Sequence, residues 1–189
     1  MTESARTAKD RIVLEPARAG DLPDLLDILN HYVLEDHCTF DTQPWTCEAK
    51  QAWFDAFDTT GPYRLLVARQ AASLDGRLLG YAHSGQWRSK RAYDVTVETT
   101  VYLAPDARGQ GLGARLLGGL LESLRGTGAL RAVAGIAQPN EASNRLHLKL
   151  GYRTVGTFHR VGRKFDRDWD VTWFERDIEG GSTNVEISA

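Results

Sequence analysis

Polar and apolar positions along the chain follow two periods. Residues 94–103 in "YDVTVETTVYL" alternate β-branched and polar side chains, the two-residue period of a strand. "RIVLEPA" (11–17), "YRLLVARQ" (63–70), "RLLGYAHSGQW" (77–87), "LRAVAGIA" (130–137), "YRTVGTFHRV" (152–161) and "WDVTWFERDI" (169–178) also read as strands. Helical spacing appears in "DLPDLLDILNHYVLE" (21–35), where Asp21 suits an N-cap and Pro23 falls early enough to be tolerated. It recurs in "CEAKQAWFDAF" (47–57), in residues 113–125 and in "EASNRLHLKL" (141–150). Asp75-Gly76 marks a hairpin turn between the strands on either side. The order β-α-α-β-β-β-α-β-α-β-β predicts a mixed α/β (α+β) fold, a mixed sheet with helices on both faces.

The length of 189 residues suits one domain, here 11–178, between polar tails at 1–10 and 179–189. A formal net charge of −2 provides no global field to recruit nucleic acid or an anionic membrane. No apolar run approaches the ~20 residues of a membrane span, and "MTESARTAKD" lacks the apolar core of a signal peptide. Cys38 and Cys47 match no metal or redox spacing, and neither do His31, His37, His83 and His159. The expectation is a cytoplasmic, reduced protein without a metal.

The stretch "PDARGQGLGARLLGGLL" (105–121) carries the first chemistry. A glycine-rich turn that opens a helix points unpaired N–H groups at one spot, at the positive end of the helix dipole, and so suits phosphate. A P-loop needs Lys-Ser/Thr after its last glycine, but Ala114-Arg115 stand there. A dinucleotide fingerprint fits Gly109-x-Gly111-x-x-Ala114 loosely, but the acidic residue it needs about 20 positions on is missing until Glu141. A solvated turn with small residues that let the helix approach the sheet is the bland alternative, above all for Gly118-Gly119.

"RGQGLGA" (108–114) is similar to the R/Q-x-x-G-x-G/A signature of the GNAT acetyltransferases. "NHYV" (30–33), "TFDTQP" (39–44), "AYDVTVETTVYL" (92–103), "PNEASNRLHLKLGY" (139–152) and "VGRKFDRDWDV" (161–171) resemble the phosphinothricin / methionine sulfoximine N-acetyltransferase branch of that family. The resemblance covers residues 11 to about 178 and implies the GNAT fold, a central, largely antiparallel sheet flanked by helices. It implies acetyl-CoA as co-substrate, with Arg108, Gly109, Gln110, Gly111, Leu112, Gly113 and Ala114 cradling its pyrophosphate. The pantetheine arm would lie along Val101, Tyr102 and Leu103. Asn140 and Ser143 match cofactor-binding positions, although "PNEAS" is equally a helix N-cap signal.

On the same resemblance Glu98 is the general base that deprotonates the amine, and His147 handles the proton of the leaving thiolate or shares the base role. From the residues alone, Glu98 could face solvent and His147 could be a packed helix residue against Tyr152 or Leu148. A backbone N–H near Leu103 would stabilise the oxyanion. For the acceptor, "QWRSKRAYD" (86–94) is basic and reads by default as a solvated hairpin tip. A carboxylate or phosphinate is nevertheless best met by arginine, and Arg88, Lys90 and Tyr93 align with the family's substrate contacts. Phe40 and Trp87 are candidate apolar walls, and Lys164 faces either the site or solvent.

The resemblance therefore implies direct acetyl transfer to the α-amine of a small amino-acid analogue in a homodimer. Three other readings compete with it. One is a non-catalytic acyl-CoA-binding module, against which Glu98 and His147 argue. Another is an enzyme acting on a peptide N-terminus, and the basic stretch disfavours a polyamine in that role. The third uses Cys38 as an acyl carrier.

Overall fold

The computed structural model describes residues 12–71 and 76–178. The expected tails and Asp75 of the Asp75-Gly76 turn lie outside the described residues. Among the described residues seven strands form one sheet: β1 (Ile12–Pro16), β2 (Leu65–Gln70), β3 (Leu78–Gln86), β4 (Thr96–Leu103), β5 (Arg131–Gln138), β6 (Arg153–Lys164) and β7 (Arg167–Asp177). Four α-helices accompany them: α1 (Leu22–Glu35), α2 (Cys47–Phe54), α3 (Leu112–Ser123) and α4 (Glu141–Lys149). The spatial order is β1-β2-β3-β4-β5-β7-β6. Every neighbouring pair is antiparallel except β4 with β5, which is parallel.

The two faces of the sheet follow from register. Tyr81 pairs with Tyr102 and His83 with Thr100, so these four share one face. Tyr32 of α1 packs on Tyr102 with ring centroids 5.3 Å apart, and Trp53 of α2 meets His83 at 5.5 Å. Ala82 and Val101 point to the opposite face, as does Leu66, which pairs with Ala82. There α3 lies close: a Cβ on Gly119 would sit 3.2 Å from Leu14, and one on Gly118 would sit 3.7 Å from Leu150. Gly119 is therefore a packing glycine, whereas a Cβ at Gly118 would make ordinary contact with Leu150 at the end of α4. Leu112, Leu116, Leu117, Leu120 and Leu121 of α3 are buried, each worth ~1.5–3 kcal/mol of apolar burial.

Two elements differ from expectation. Helix α2 stops at Phe54 rather than at 57, and the chain turns so that the Phe57 ring packs on Trp53 at 4.9 Å and on His83 at 5.4 Å. Strand β6 continues past 161 to Lys164 through an irregularity in register between Phe158 and Gly162, with Arg160 at φ 54. It then reverses through Phe165 and Asp166, at φ 53 and 55, into β7. Two successive positive φ values are the signature of a type I′ hairpin turn. Phe-Asp is an unusual sequence for that turn, which is why the periodicity leaves 162–168 as a connector.

Candidate active site

Parallel strands β4 and β5 share three paired positions: Thr96 with Arg131, Val97 with Ala132, and Glu98 with Val133. Beyond Glu98 they part. Strand β3 continues to pair with β4 out to Leu103, and β7 with β5 out to Gln138. Each thus keeps its outer neighbour, and a wedge opens between their inner edges. At its apex Thr99 is 3% exposed. Its hydroxyl donates to the Val133 carbonyl at 3.2 Å, where a ladder bond would otherwise continue. That leaves the Thr99 oxygen as acceptor for the Tyr152 hydroxyl at 2.8 Å.

At the mouth of the wedge, a turn at Pro105–Ala107 leads through Arg108 to the N-terminus of α3. Gly109 and Gly111 have φ 79 and 74, which glycine adopts without cost, and no side chain caps the helix. A Cβ at either position would meet no protein atom within 4 Å, because both residues front the cleft. Open space before uncapped N–H groups is what a pyrophosphate requires. Gly113 also lines the cleft, but a Cβ there would sit 3.4 Å from Leu146, so this glycine additionally lets α4 approach α3. Arg108 donates to the Tyr32 hydroxyl at 3.1 Å, and that hydroxyl donates to the Leu103 carbonyl at 2.6 Å. A cation is thereby tied to the end of β4.

Cradle and apex belong to one cleft of about 920 Å³. It is also lined by Val101, Tyr102, Leu103, Arg108, Ala114, Asn140, Ser143, Glu98, His147, Arg88 and Phe40. Five residue steps along the strand take Glu98 to Leu103, ~17 Å of extended chain, a span suited to an extended pantetheine arm. Asn140 accepts from the Ser143 N–H at 3.0 Å, so it caps α4 while it faces the cleft. Gln138 and Asn144 brace that loop through reciprocal amide bonds of 3.0 and 2.9 Å.

Glu98 and His147 reach the apex from opposite faces of the sheet. Glu98 lies on the face of Tyr102 and α1, and partial burial raises its pKa while the nearby positive charge of Arg88 holds it down. His147, 3% exposed, packs edge-on against Tyr152 at 4.9 Å on the side of α3 and α4. Burial lowers its pKa. Its Nε2 is buried without a hydrogen-bond partner in the protein. The packed-histidine reading and the cleft reading thus both describe this ring.

Six of the expected residues do not line the cleft. Gln110 is exposed. Leu112 is buried in the core, so only its backbone can serve the cradle. Lys90 and Tyr93 are exposed beside the short turn Arg91–Tyr93. Tyr93 instead packs edge-on against Trp87 at 5.3 Å, and Trp87 lies under the Arg88 guanidinium at 5.0 Å. Trp87 is therefore a prop for Arg88 and not a wall. Lys164 faces neither cleft nor solvent: it is 4% exposed. Missed by sequence reasoning were Phe158, Val161, Val171 and Trp173 of the β6–β7 hairpin, which line the same cleft as Phe40 and Glu98. Their alternation signalled strands but not which face would front a site.

A wedge with an uncapped, glycine-fronted helix N-terminus at its mouth and a carboxylate at its apex is suited to a phosphate-bearing acyl donor such as a coenzyme A thioester. Comparison with known proteins agrees. The profile of the acetyltransferase (GNAT) family matches residues 30–152. A phosphinothricin N-acetyltransferase of Streptomyces coelicolor is 50% identical over 167 residues, covering 88% of this chain and 96% of that protein. An L-methionine sulfoximine/L-methionine sulfone acetyltransferase of Pseudomonas paraeruginosa is 39% identical over 166 residues, covering 88% and 94%. An acetyltransferase of Salmonella typhimurium, solved with acetyl-CoA, superposes with a TM-score of 0.83 at 32% identity over 92% of this chain and 97% of that one.

The chain belongs to the GNAT acetyltransferase family. It is an acetyl-CoA-dependent N-acetyltransferase. Among the described residues no helix is long and apolar enough to cross a membrane.

Proposed function

We propose that this chain is a cytoplasmic enzyme that moves the acetyl group of acetyl-CoA to the α-amine of a small amino-acid analogue of the phosphinothricin or methionine sulfoximine type. The observation that carries the reading is the lining of one cleft: Arg88 and Glu98 share it with the apolar side chains of Phe40, Phe158, Val161 and Trp173. A zwitterion needs a cation for its acid group, a carboxylate near its ammonium and an apolar wall for the rest. The names of the relatives point the same way.

Acetyl-CoA supplies an activated carbonyl and a thiolate leaving group. Arg108 and the N-terminus of α3, from Gly109 to Ala114, hold its phosphates, and the inner edge of β4 from Val101 to Leu103 guides the arm inward. The oxyanion donor is a backbone N–H on the inner edge of β4 in this reading; Leu103, expected there from the resemblance, lies ~17 Å along the strand from Glu98, too far to share one carbonyl with that base. Asn140 and Ser143 border the arm on the α4 side. Glu98, with its raised pKa, takes the proton of the ammonium. His147, on the other face, takes the second proton of the attacking nitrogen on its bare Nε2 and returns it to the departing thiolate. Attack is direct, with both substrates bound together. Cys38, the cysteine that lines the cleft, has its thiol pushed up to about 12 by burial and by Asp36, which disfavours it as an acyl carrier.

The same reading makes the enzyme a homodimer. Val155, Phe158, Val161 and Phe165 are exposed along and beside β6, an apolar strip that a second copy would cover. Sedimentation at micromolar concentration checks this, and a monomer would remove it.

The deciding experiment offers amino-acid analogues, a peptide N-terminus and spermidine to the enzyme with acetyl-CoA and reads free thiol. Preference for methionine sulfoximine or phosphinothricin is expected. Preference for the peptide or for spermidine would sink the acceptor assignment, and steady thiol release with no amine at all would sink the transfer.

A further inference from the structure

Lys164 lies near the end of the β6–β7 hairpin, yet its ammonium is buried and donates to three backbone carbonyls: Tyr32 at 3.1 Å, Asp36 at 2.6 Å and Thr39 at 2.9 Å. Tyr32 belongs to the last turn of α1, Asp36 follows that helix, and Thr39 lies in the segment beyond. The cation therefore sits at the negative end of the helix dipole and also ties down the chain that leaves it. Two further contacts hold the same segment to the same hairpin. The His37 ring stacks on Trp169, with centroids 4.0 Å apart and planes 15° apart. The Phe40 ring lies on Gly162 so closely that a Cβ there would be 2.1 Å from Cε2 of the ring. The φ of Gly162 is not in the left-handed region, so the glycine is required by the ring and not by the backbone.

Phe40, from this segment, and Val161, from the hairpin, line the cleft together. A wall built from two distant parts of the chain is only as rigid as the bonds between them, and Lys164 makes three of those bonds.

We propose that Lys164 and Gly162 are positioning residues that fix the Phe40 ring at the acceptor end of the cleft and thereby set which acceptor side chains fit. The proposal rests on the reading above that the amine acceptor lies among Arg88, Glu98 and Phe40. The segment following α1 carries the ring, and the hairpin dictates where it stays.

The test is a double-mutant cycle on the full-length enzyme. Gly162→Ala should displace the ring and raise KM for methionine sulfoximine about tenfold, with KM for acetyl-CoA changed by no more than about twofold. In a Phe40→Ala background the same Gly162→Ala change should be silent, because no ring remains to displace. Lys164→Met should raise the same KM and speed hydrogen exchange of the amides of 36–41. An equal effect of Gly162→Ala in both backgrounds would overturn the proposal. So would an unchanged acceptor KM in Gly162→Ala, whether or not Lys164→Met folds. If the wild type prefers another amine, the acceptor assignment fails on its own. The cycle is then run with that amine, and the coupling between positions 162 and 40 still decides.

Discussion

Nδ1 of His147 lies 2.9 Å from the carbonyl oxygen of Ser143, one turn earlier on the same helix. A carbonyl can only accept, so Nδ1 carries the hydrogen and Nε2 presents a bare lone pair. Burial lowers the pKa of this ring below its usual 6.5, so it is neutral at pH 7. His147 must therefore take a proton before it can give one. Its competent form exists above the lowered pKa, and activity through it falls as pH drops through that value. His147→Phe should lose less activity than removal of Glu98 and should remove this acid limb from the pH profile of kcat/KM. An unaltered profile, followed by thiol release from pH 5 to 9, would return the ring to a packing role.

Glu98→Gln should lower kcat by ~10² or more, the usual loss for a general base. Acetyl-CoA affinity should stay nearly intact by calorimetry. Partial burial raises the pKa of Glu98 above 4.5, so its base form grows as pH rises through that raised value, and the acid limb left in His147→Phe belongs to it. A mutant that keeps most of its activity at every pH would make Glu98 structural.

Arg88 and Lys90 should separate, since Arg88 lines the cleft and Lys90 does not. Arg88→Met should raise acceptor KM with a smaller change in kcat, the pattern of lost uniform binding. Lys90→Met should leave both near wild type. Equal effects at the two positions, in steady-state kinetics with methionine sulfoximine, would contradict the placement of Arg88 on Trp87.

Gly111 holds φ 74 at the start of α3. Valine there is strained and projects into the cradle. Gly111→Val should weaken acetyl-CoA at least tenfold, about 1.4 kcal/mol. A folded mutant with unchanged affinity by calorimetry would remove the phosphate cradle from the mechanism.

His83 is enclosed by Trp53, Phe57 and Tyr81, and burial brings its pKa down to about 4 from 6.5. The unfolded chain takes its proton at a higher pH than the folded one. Stability is therefore full above about 6.5 and is lost as pH falls toward about 4, by up to ~3 kcal/mol. His83→Phe should flatten this decline. Urea midpoints at pH 7.5 and 4.5 check it, and a mutant with the wild-type slope would show that the loss arises elsewhere.

The sequence by itself determined the elements, apart from the ends of α2 and β6, and the glycine turn that opens α3. The period of two in 94–103 and the glycines after it are local signals, and local backbone preference decides such segments. The family's motifs likewise marked Glu98, His147 and Arg88 by number. Only the tertiary structure decided what those residues face. The three-pair contact of β4 with β5, which opens the wedge, depends on strands that lie some 30 residues apart in the sequence. Whether Arg88 or Lys90 turns inward depends on Trp87 and Tyr93 packing beneath. Lys164 is written like a surface lysine, and its burial depends on carbonyls more than 120 positions away. Patterning encodes which side of an element is apolar. The partner that covers that side is set by long-range packing, which no local period records.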